Sequence, residues 1–194
     1  MSRSRWTVLI LVLVAMGLAL GRGLQGKTPD QHQSARTRGL QAAAALEPCP
    51  SGISTFLPKV TLPCLGGGKD VPVAGAGTGV PTLINIYGSW CSPCYKEMPV
   101  LAQFAAKAQG KVALVGIDSE DDFDSALQFA KQRGQHWPTV YDNDAVIRPH
   151  YASKLPATLF LDATGKVVFV QRDTGYGSLA QLEADVKQHL GVAL

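Results

Sequence analysis

Two cysteines separated by two residues, Cys91 and Cys94, are the side chains of this sequence best suited to covalent chemistry. They follow the apolar run 82–87, which is typical of a buried strand, and they stand where a helical pattern begins. The unpaired N–H groups and the positive dipole end of a helix N-terminus stabilise a thiolate, which is the reactive form in thiol–disulfide exchange. The arrangement predicts a redox centre that alternates between dithiol and disulfide.

A zinc site is the main structural alternative for a C-x-x-C pair. Such a site needs a second Cys or His pair at close spacing. The other cysteines, Cys49 and Cys64, are separated by fourteen residues, and the four histidines form no H-x₃₋₅-H pair. We therefore expect no metal, and we expect no other cofactor.

Charge is distributed unevenly along the chain. The 194 residues are 46% hydrophobic, which suits one domain with a core and additional segments. Residues 1–47 hold six basic and two acidic side chains of the 18 and 15 in the whole chain, so the remainder has a net charge of −1. This nearly neutral remainder has no basic stripe, which argues against nucleic acid as a partner.

The first 47 residues predict a membrane segment and a tether. Arg3 and Arg5 precede the apolar run 6–20, which is short for a span of about twenty residues. We favour an uncleaved single-pass anchor over residues 1–21, with its N-terminus inside, over a cleaved signal. Either interpretation places the folded domain on the extracytoplasmic side of the cell membrane, where disulfides are stable. Residues 22–47, rich in Gly, Gln, Ala and Arg, are expected to be a flexible tether.

Residues 48–194 predict an α/β domain. A hairpin around the turn 66–70 is expected first, as an N-terminal extension. The order that follows is β-α-β-α-β-β-α, which predicts a central mixed sheet flanked by helices, here expected on both faces. The predicted strands are 82–87, 112–117, 157–161 and 166–171, and the predicted helices are 93–109, 122–133 and one beginning at 178.

Four stretches of the sequence match a known family. They are residues 85–94 (NIYGSWCSPC), 96–99 (KEMP), 155–162 (LPATLFLD) and 165–168 (GKVV). In these blocks the chain resembles thioredoxin-fold proteins, and specifically the membrane-tethered thiol–disulfide oxidoreductases of the TlpA/ResA/CcmG type. The resemblance extends from about residue 56 to the C-terminus and implies a thioredoxin-like fold.

The resemblance also implies roles for individual residues. Cys91 would be the exposed, attacking cysteine and Cys94 the buried, resolving one. Pro156 would form a cis peptide bond, and the backbone of Leu155 would pair with an extended substrate. Trp90 would shield the site and contact partners, or else serve only as a packing aromatic.

Glu97 is the predicted proton partner of the cysteine pair. It lies three residues after Cys94, on the same helix face. A partly buried carboxylate there would have a raised pKa and could exchange protons with Cys94, a role that ResA-like proteins assign to this position. Thioredoxin itself uses an Asp on the preceding strand, where this chain has Asn85, which cannot titrate. The alternative is a solvated acid that favours the helix dipole.

Cys49 and Cys64 are expected to form a structural disulfide. Closing a loop of about fifteen residues would stabilise the fold by roughly 3 kcal/mol. The alternative is a second redox pair that relays electrons to Cys91 and Cys94.

The resemblance implies a monomeric reductase of disulfides in exported proteins, supplied with electrons by a membrane partner. Its expected task lies in cytochrome c maturation, acting on the C-x-x-C-H haem site of apocytochrome c. An oxidant that forms disulfides and a non-catalytic peptide-binding module stay open as alternatives. A peroxidase site of the form P-x-x-x-T-x-x-C is absent, because the required positions hold Ile84 and Gly88.

Overall fold

The computed structural model describes residues 29–194, with side chains from residue 34 onward. The proposed anchor over residues 1–21 lies outside the described residues. The chain divides into two compact units, Met1–Arg36 and Thr37–Leu194. Among the helices of residues 29–194, none combines the length and the apolar composition that a bilayer-spanning segment requires.

The elements of the described chain alternate between short strands and helices of eleven to sixteen residues. In chain order they are α1 Pro29–Ala44, β1 Thr61–Leu62, β2 Val71–Pro72, β3 Thr82–Tyr87, α2 Ser92–Lys107, β4 Ala113–Ser119, α3 Phe123–Arg133, β5 Thr139–Asp142, a 3₁₀ turn Arg148–His150, β6 Ala157–Leu161, β7 Val167–Arg172 and α4 Leu179–Leu190.

Five strands form the central sheet in the order β5-β4-β3-β6-β7. The strands β3, β4 and β5 are parallel, whereas β6 and β7 run antiparallel to their neighbours. The predicted mixed sheet flanked by helices is confirmed, and β1 and β2 form the predicted hairpin. The strand β5 was missed, because its four residues follow a proline and carry too little periodicity to distinguish from a loop.

The three helices α2, α3 and α4 pack on the same face of the sheet. Asn85 and Tyr87 share a face of β3 because side chains alternate along a strand. Asn85 bonds to α2, and the ring of Tyr87 stacks on Phe129 of α3. Phe160 of β6 is in register with Leu83, which shares this face of the sheet, and its ring contacts His189 of α4. The expected distribution of these helices over both faces is therefore wrong. The crossovers β3-α2-β4 and β4-α3-β5 both step towards the same edge of the sheet. Because parallel crossovers are right-handed, α2 and α3 are placed on the same face.

The second half of the expected tether is ordered. Residues 29–44 form α1, in which Leu40 and Ala44 pack against a small cluster that includes Leu65 and Leu127. Gln41 Nε2 also donates to the carbonyl of Leu65 at 3.1 Å. The compact unit therefore begins at residue 37 rather than at 48. Two apolar positions four residues apart lie on one face of α1, and together with the Gln41 hydrogen bond they hold this helix against the domain.

Candidate active site

Cys91 caps the N-terminus of α2. Its backbone is extended, and its sulfur accepts a hydrogen bond from the Cys94 N–H at 3.3 Å. Pro93 lies in the first turn, where its missing N–H costs no helix hydrogen bond. The two sulfurs form a disulfide with a Cα–Cα distance of 5.3 Å. The sulfur nearest the helix start therefore lies where backbone N–H groups stabilise negative charge.

The expected difference in exposure between the two cysteines is not found. Cys91 is 4% exposed and Cys94 is completely buried. The expectation that Cys91 faces solvent is wrong for this oxidised form, because the disulfide and the cap geometry hold its sulfur against the first turn of α2.

The peptide bond between Leu155 and Pro156 is cis, as predicted. Ala157, the next residue, pairs with Ile86, so Pro156 lies opposite the end of β3 that leads to the cysteines. Leu155 is 7% exposed, and neither its N–H nor its C=O takes part in a hydrogen bond within residues 29–194. The edge expected to pair with a substrate backbone is thus adjacent to the redox centre.

Glu97 is buried on α2, three residues after Cys94. Its side chain is 1% exposed, with Asn85 Nδ2 donating to Oε1 at 2.8 Å and the Tyr176 N–H donating to Oε2 at 3.3 Å. Burial raises the pKa of Glu97 to about 7, against the opposing effect of these two hydrogen bonds. The predicted burial and raised pKa are confirmed, and the solvated alternative is wrong.

Two residues that hold Glu97 were not assigned this role from the sequence. Asn85 is fully buried and also donates to Thr158 Oγ1 at 3.3 Å, so it joins α2 to β6. Gly175 lies so close that an added Cβ would be 2.9 Å from Glu97 Oε2. Asn85 could have been found, because an amide inside an apolar strand needs a buried partner. Gly175 gave no signal, since its contact depends on the path of the loop after β7.

Trp90 lies on the surface beside the cysteines. Its side chain is 54% exposed, and its Nε1–H donates to the carbonyl of Ser119 at 3.2 Å. This hydrogen bond orients the ring while leaving much of it in solvent. The position fits contact with a partner better than a role in core packing.

A second buried carboxyl lies at the C-terminal end of β4. Asp118 is fully buried, and neither of its oxygens has a hydrogen-bond donor among the described residues. Burial, followed by the neighbouring Asp121, holds the pKa of Asp118 well above its usual range. Sequence reasoning did not assign it a role.

Cys49 and Cys64 form the second disulfide, with a Cα–Cα distance of 5.9 Å. Cys64 forms an antiparallel bridge to Val140, which is in register with Ile117 and through it with Ile86. Three strand spacings of about 4.8 Å therefore separate Cys64 from β3, a distance of about 14 Å. Direct exchange between the two disulfides of one molecule would require a large rearrangement, which supports the structural role.

Comparison with known proteins gives a consistent family. Residues 53–170 match the AhpC/TSA family. The thiol-disulfide oxidoreductase ResA of Bacillus thuringiensis (strain Al Hakam) is 31% identical over 114 residues, which are 58% of this chain and 64% of that protein. ResA of Bacillus subtilis (strain 168) is 37% identical over 101 residues, 50% of this chain and 55% of that protein. The chain thus spans less than two thirds of the length of these relatives.

The fold has solved counterparts. The crystal structure of a secreted Mycobacterium tuberculosis disulfide oxidoreductase, homologous to E. coli DsbE, superposes with a TM-score of 0.58 at 26% identity. The match covers 67% of this chain and 96% of that one. Together with the mixed sheet and the cysteine pair at the start of α2, these matches show that the chain has a thioredoxin-like fold and belongs to the AhpC/TSA family.

Proposed function

We propose that this protein is a thiol–disulfide oxidoreductase that exchanges disulfides with other proteins through Cys91 and Cys94. The observation that carries the proposal is the disulfide at the N-terminus of α2, the helix that also carries the buried carboxyl of Glu97 and follows the strand beside the cis-proline. Similarity to proteins named as ResA and as a secreted disulfide oxidoreductase supports it.

The exchange proceeds in two steps when the protein starts reduced. The Cys91 thiolate attacks one sulfur of a substrate disulfide, forming a mixed disulfide and releasing the other substrate sulfur as a thiolate, which takes a proton from water. Cys94 then loses its proton and attacks the Cys91 sulfur, which releases the second substrate thiolate. Two electrons pass to the substrate, and the Cys91–Cys94 disulfide is formed; the reverse sequence oxidises a substrate dithiol.

Glu97 supplies the proton acceptor in the second step. Cys94 lies one turn inside α2 and is completely buried, so its proton must pass to a group within the protein. The carboxylate of Glu97, with a pKa of about 7, can take the Cys94 proton near neutral pH and return it in the reverse reaction.

The proposed direction is reduction of exported proteins on the extracytoplasmic side of the cell membrane, with apocytochrome c as substrate and a membrane protein as electron donor. Resemblance to ResA-like proteins supports this direction. The second disulfide supports the compartment, because stable disulfides form in oxidising surroundings.

Trapping the mixed disulfide tests the activity. Cys94→Ala should accumulate a covalent complex between Cys91 and a substrate, visible on non-reducing gels and reversed by a thiol reductant. The double substitution of Cys91 and Cys94 by Ala is the matched control. Binding without a covalent complex in either variant would contradict exchange and favour a peptide-binding module.

A redox titration tests the direction. A reductase should have a potential close to the roughly −270 mV of thioredoxin, whereas an oxidant should lie close to the roughly −120 mV of DsbA. A value near the latter would overturn the proposed direction while leaving the exchange chemistry intact.

A further inference from the structure

The last residue of β4 and the two residues after it, here called the 119–121 loop, contact the segment that immediately precedes the cysteines. The carboxylate of Asp121 accepts hydrogen bonds from both the backbone N–H and the hydroxyl of Ser89, the latter at 2.8 Å. The carbonyl of Ser119 accepts from Trp90 Nε1 at 3.2 Å. Three hydrogen bonds therefore join this loop to two consecutive residues, of which the second is bonded to Cys91.

The same loop also contacts the cis-proline side of the site. Glu120 forms an ion pair with Arg148. The guanidinium of Arg148 in turn donates from Nη1 to the carbonyl of Ser153 at 3.2 Å, two residues before Leu155. Successive residues of one loop thus hold the two segments between which a substrate would lie.

The loop is fixed to the sheet rather than mobile at its base. Tyr141 of β5 donates its hydroxyl to the carbonyl of Asp121 at 2.5 Å, and the Glu120 N–H donates to the carbonyl of Asp142 at 3.1 Å. Glu120 has a φ of 54°, a left-handed conformation that few residues with a Cβ adopt. Backbone conformations of this kind persist where the surroundings over-determine them, and they are common at functional sites.

We propose that Asp121 is a positioning residue for disulfide exchange: it sets the position of Cys91 through Ser89, while Glu120 and Arg148 set the position of the cis-proline segment. This inference rests on the proposed exchange activity and adds the residues that align its two halves. None of these side chains reacts; each acts through the backbone that it holds.

The rate of disulfide exchange depends strongly on how the reacting sulfurs are aligned. The attacking sulfur must approach along the axis of the sulfur–sulfur bond that breaks, and an error of 1 Å in the position of a reacting group can cost about a hundredfold in rate. A substrate backbone paired with Leu155 fixes its sulfur relative to β6, whereas Cys91 is fixed relative to β3. The 119–121 loop contacts both segments and can therefore fix the position of the substrate sulfur relative to Cys91.

Adjacent aspartates offer a matched pair of variants. Asp121 binds Ser89, whereas Asp122 caps α3 by accepting from the Ser125 N–H at 2.9 Å. Asp121→Ala should lower kcat for a disulfide-bonded peptide about tenfold with little change in KM. Asp122→Ala should lower thermal stability and leave kcat within twofold. Ser89→Ala, which removes one bond and no charge, should lower kcat about threefold.

The double variant separates positioning from electrostatics. In Asp121→Ala the hydroxyl of Ser89 has already lost its partner, so adding Ser89→Ala should reduce kcat no further. Equal effects of Asp121→Ala and Asp122→Ala would overturn the inference. So would a faster reaction in Asp121→Ala, because removal of a negative charge near Cys91 would then be the dominant effect.

The parent protein keeps the two proposals distinguishable. If the unmodified protein shows no turnover and forms no mixed disulfide, the proposed function itself fails. If it turns over substrate and Asp121→Ala matches it in kcat, only the positioning role fails.

Discussion

The two disulfides of this protein are bonds of the same kind, but the backbone groups beside their sulfurs have opposite polarity. The sulfur of Cys91 accepts from a backbone N–H at 3.3 Å, at the start of a sixteen-residue helix. The sulfur of Cys49 lies 3.2 Å from the carbonyl oxygen of Thr139, and no helix begins at Cys49 or Cys64. A donor stabilises a thiolate and a carbonyl oxygen opposes it, so the reactivity of each pair depends on the backbone around it.

The two bonds also differ in what they constrain. Cys91 and Cys94 are three residues apart within one helix turn, so their bond removes little freedom from the unfolded chain. Cys49 and Cys64 are 15 residues apart and join the segment after α1 to the outer side of β5. A longer closed loop restricts the unfolded chain more, which favours stability over exchange as the role of this bond.

The largest expected effect is on turnover, which should depend on the Cys91–Cys94 pair and not on the Cys49–Cys64 pair. Cys91→Ser should lower turnover of a disulfide-bonded protein substrate by about a thousandfold or more, because the thiol that remains, Cys94, is completely buried. Replacing Cys49 and Cys64 together by Ser should leave turnover within about twofold. A comparable loss in the second variant would show that both pairs take part in electron transfer.

The free energy of unfolding should depend more on the Cys49–Cys64 disulfide than on the Cys91–Cys94 disulfide. Removing the Cys49–Cys64 bond should lower the free energy of unfolding by about 3 kcal/mol, measured by urea denaturation with the Cys91–Cys94 disulfide intact. Reducing Cys91–Cys94 in the same double variant is the matched comparison and should have a smaller effect. An unchanged denaturation midpoint in the Cys49 and Cys64 variant would refute the structural role.

The raised pKa of Glu97, the proposed proton partner of Cys94, should make stability depend on pH. Glu97 titrates near 4.5 in the unfolded chain and at about 7 in the folded protein, so the folded state binds the additional proton between these values. The contribution of Glu97 to the free energy of unfolding should therefore be largest below pH 4.5 and decline by about 3 kcal/mol as the pH rises to 7.

Glu97→Gln tests this origin. The variant should lose the part of the decline that Glu97 contributes, and the pH profile of its exchange reaction should change between pH 5 and 8. Glu183→Gln, which alters a carboxylate on the surface of α4, is the matched control and should keep the decline. A profile of Glu97→Gln identical to that of the parent protein would exclude the proton-transfer role.

The smallest expected effect concerns the residue that holds this carboxyl. The Asn85 amide lowers the pKa of Glu97 by donating to it. In Asn85→Ala the pKa of Glu97 should rise, so the pH-dependent decline in stability should move to higher pH. The midpoint of the decline is the measurement, since loss of a buried side chain lowers stability at every pH. A midpoint that stays in place or moves lower would contradict the role of Asn85.

Much of the domain could be predicted because its signals are local. The strand 82–87 and the helix that follows it were expected within one residue of their observed starts, and the hairpin, the cis-proline and both cysteine pairings were predicted correctly. The failures lie where local signals are weak. The helix α1 is stabilised by contacts with α3, and β5 is too short to carry a period.

The sequence by itself determined which groups could react and in what order they occur along the chain. Cys91, Cys94 and Glu97 are spaced three residues apart, and helix geometry alone places side chains at that spacing on one face. Only the tertiary structure decided the surroundings of those groups. The burial that raises the pKa of Glu97, the Asn85 amide that opposes it and the Asp121 contact with Ser89 join residues 12 to 32 positions apart. Such contacts depend on how strands and loops meet, which no local pattern of residues encodes.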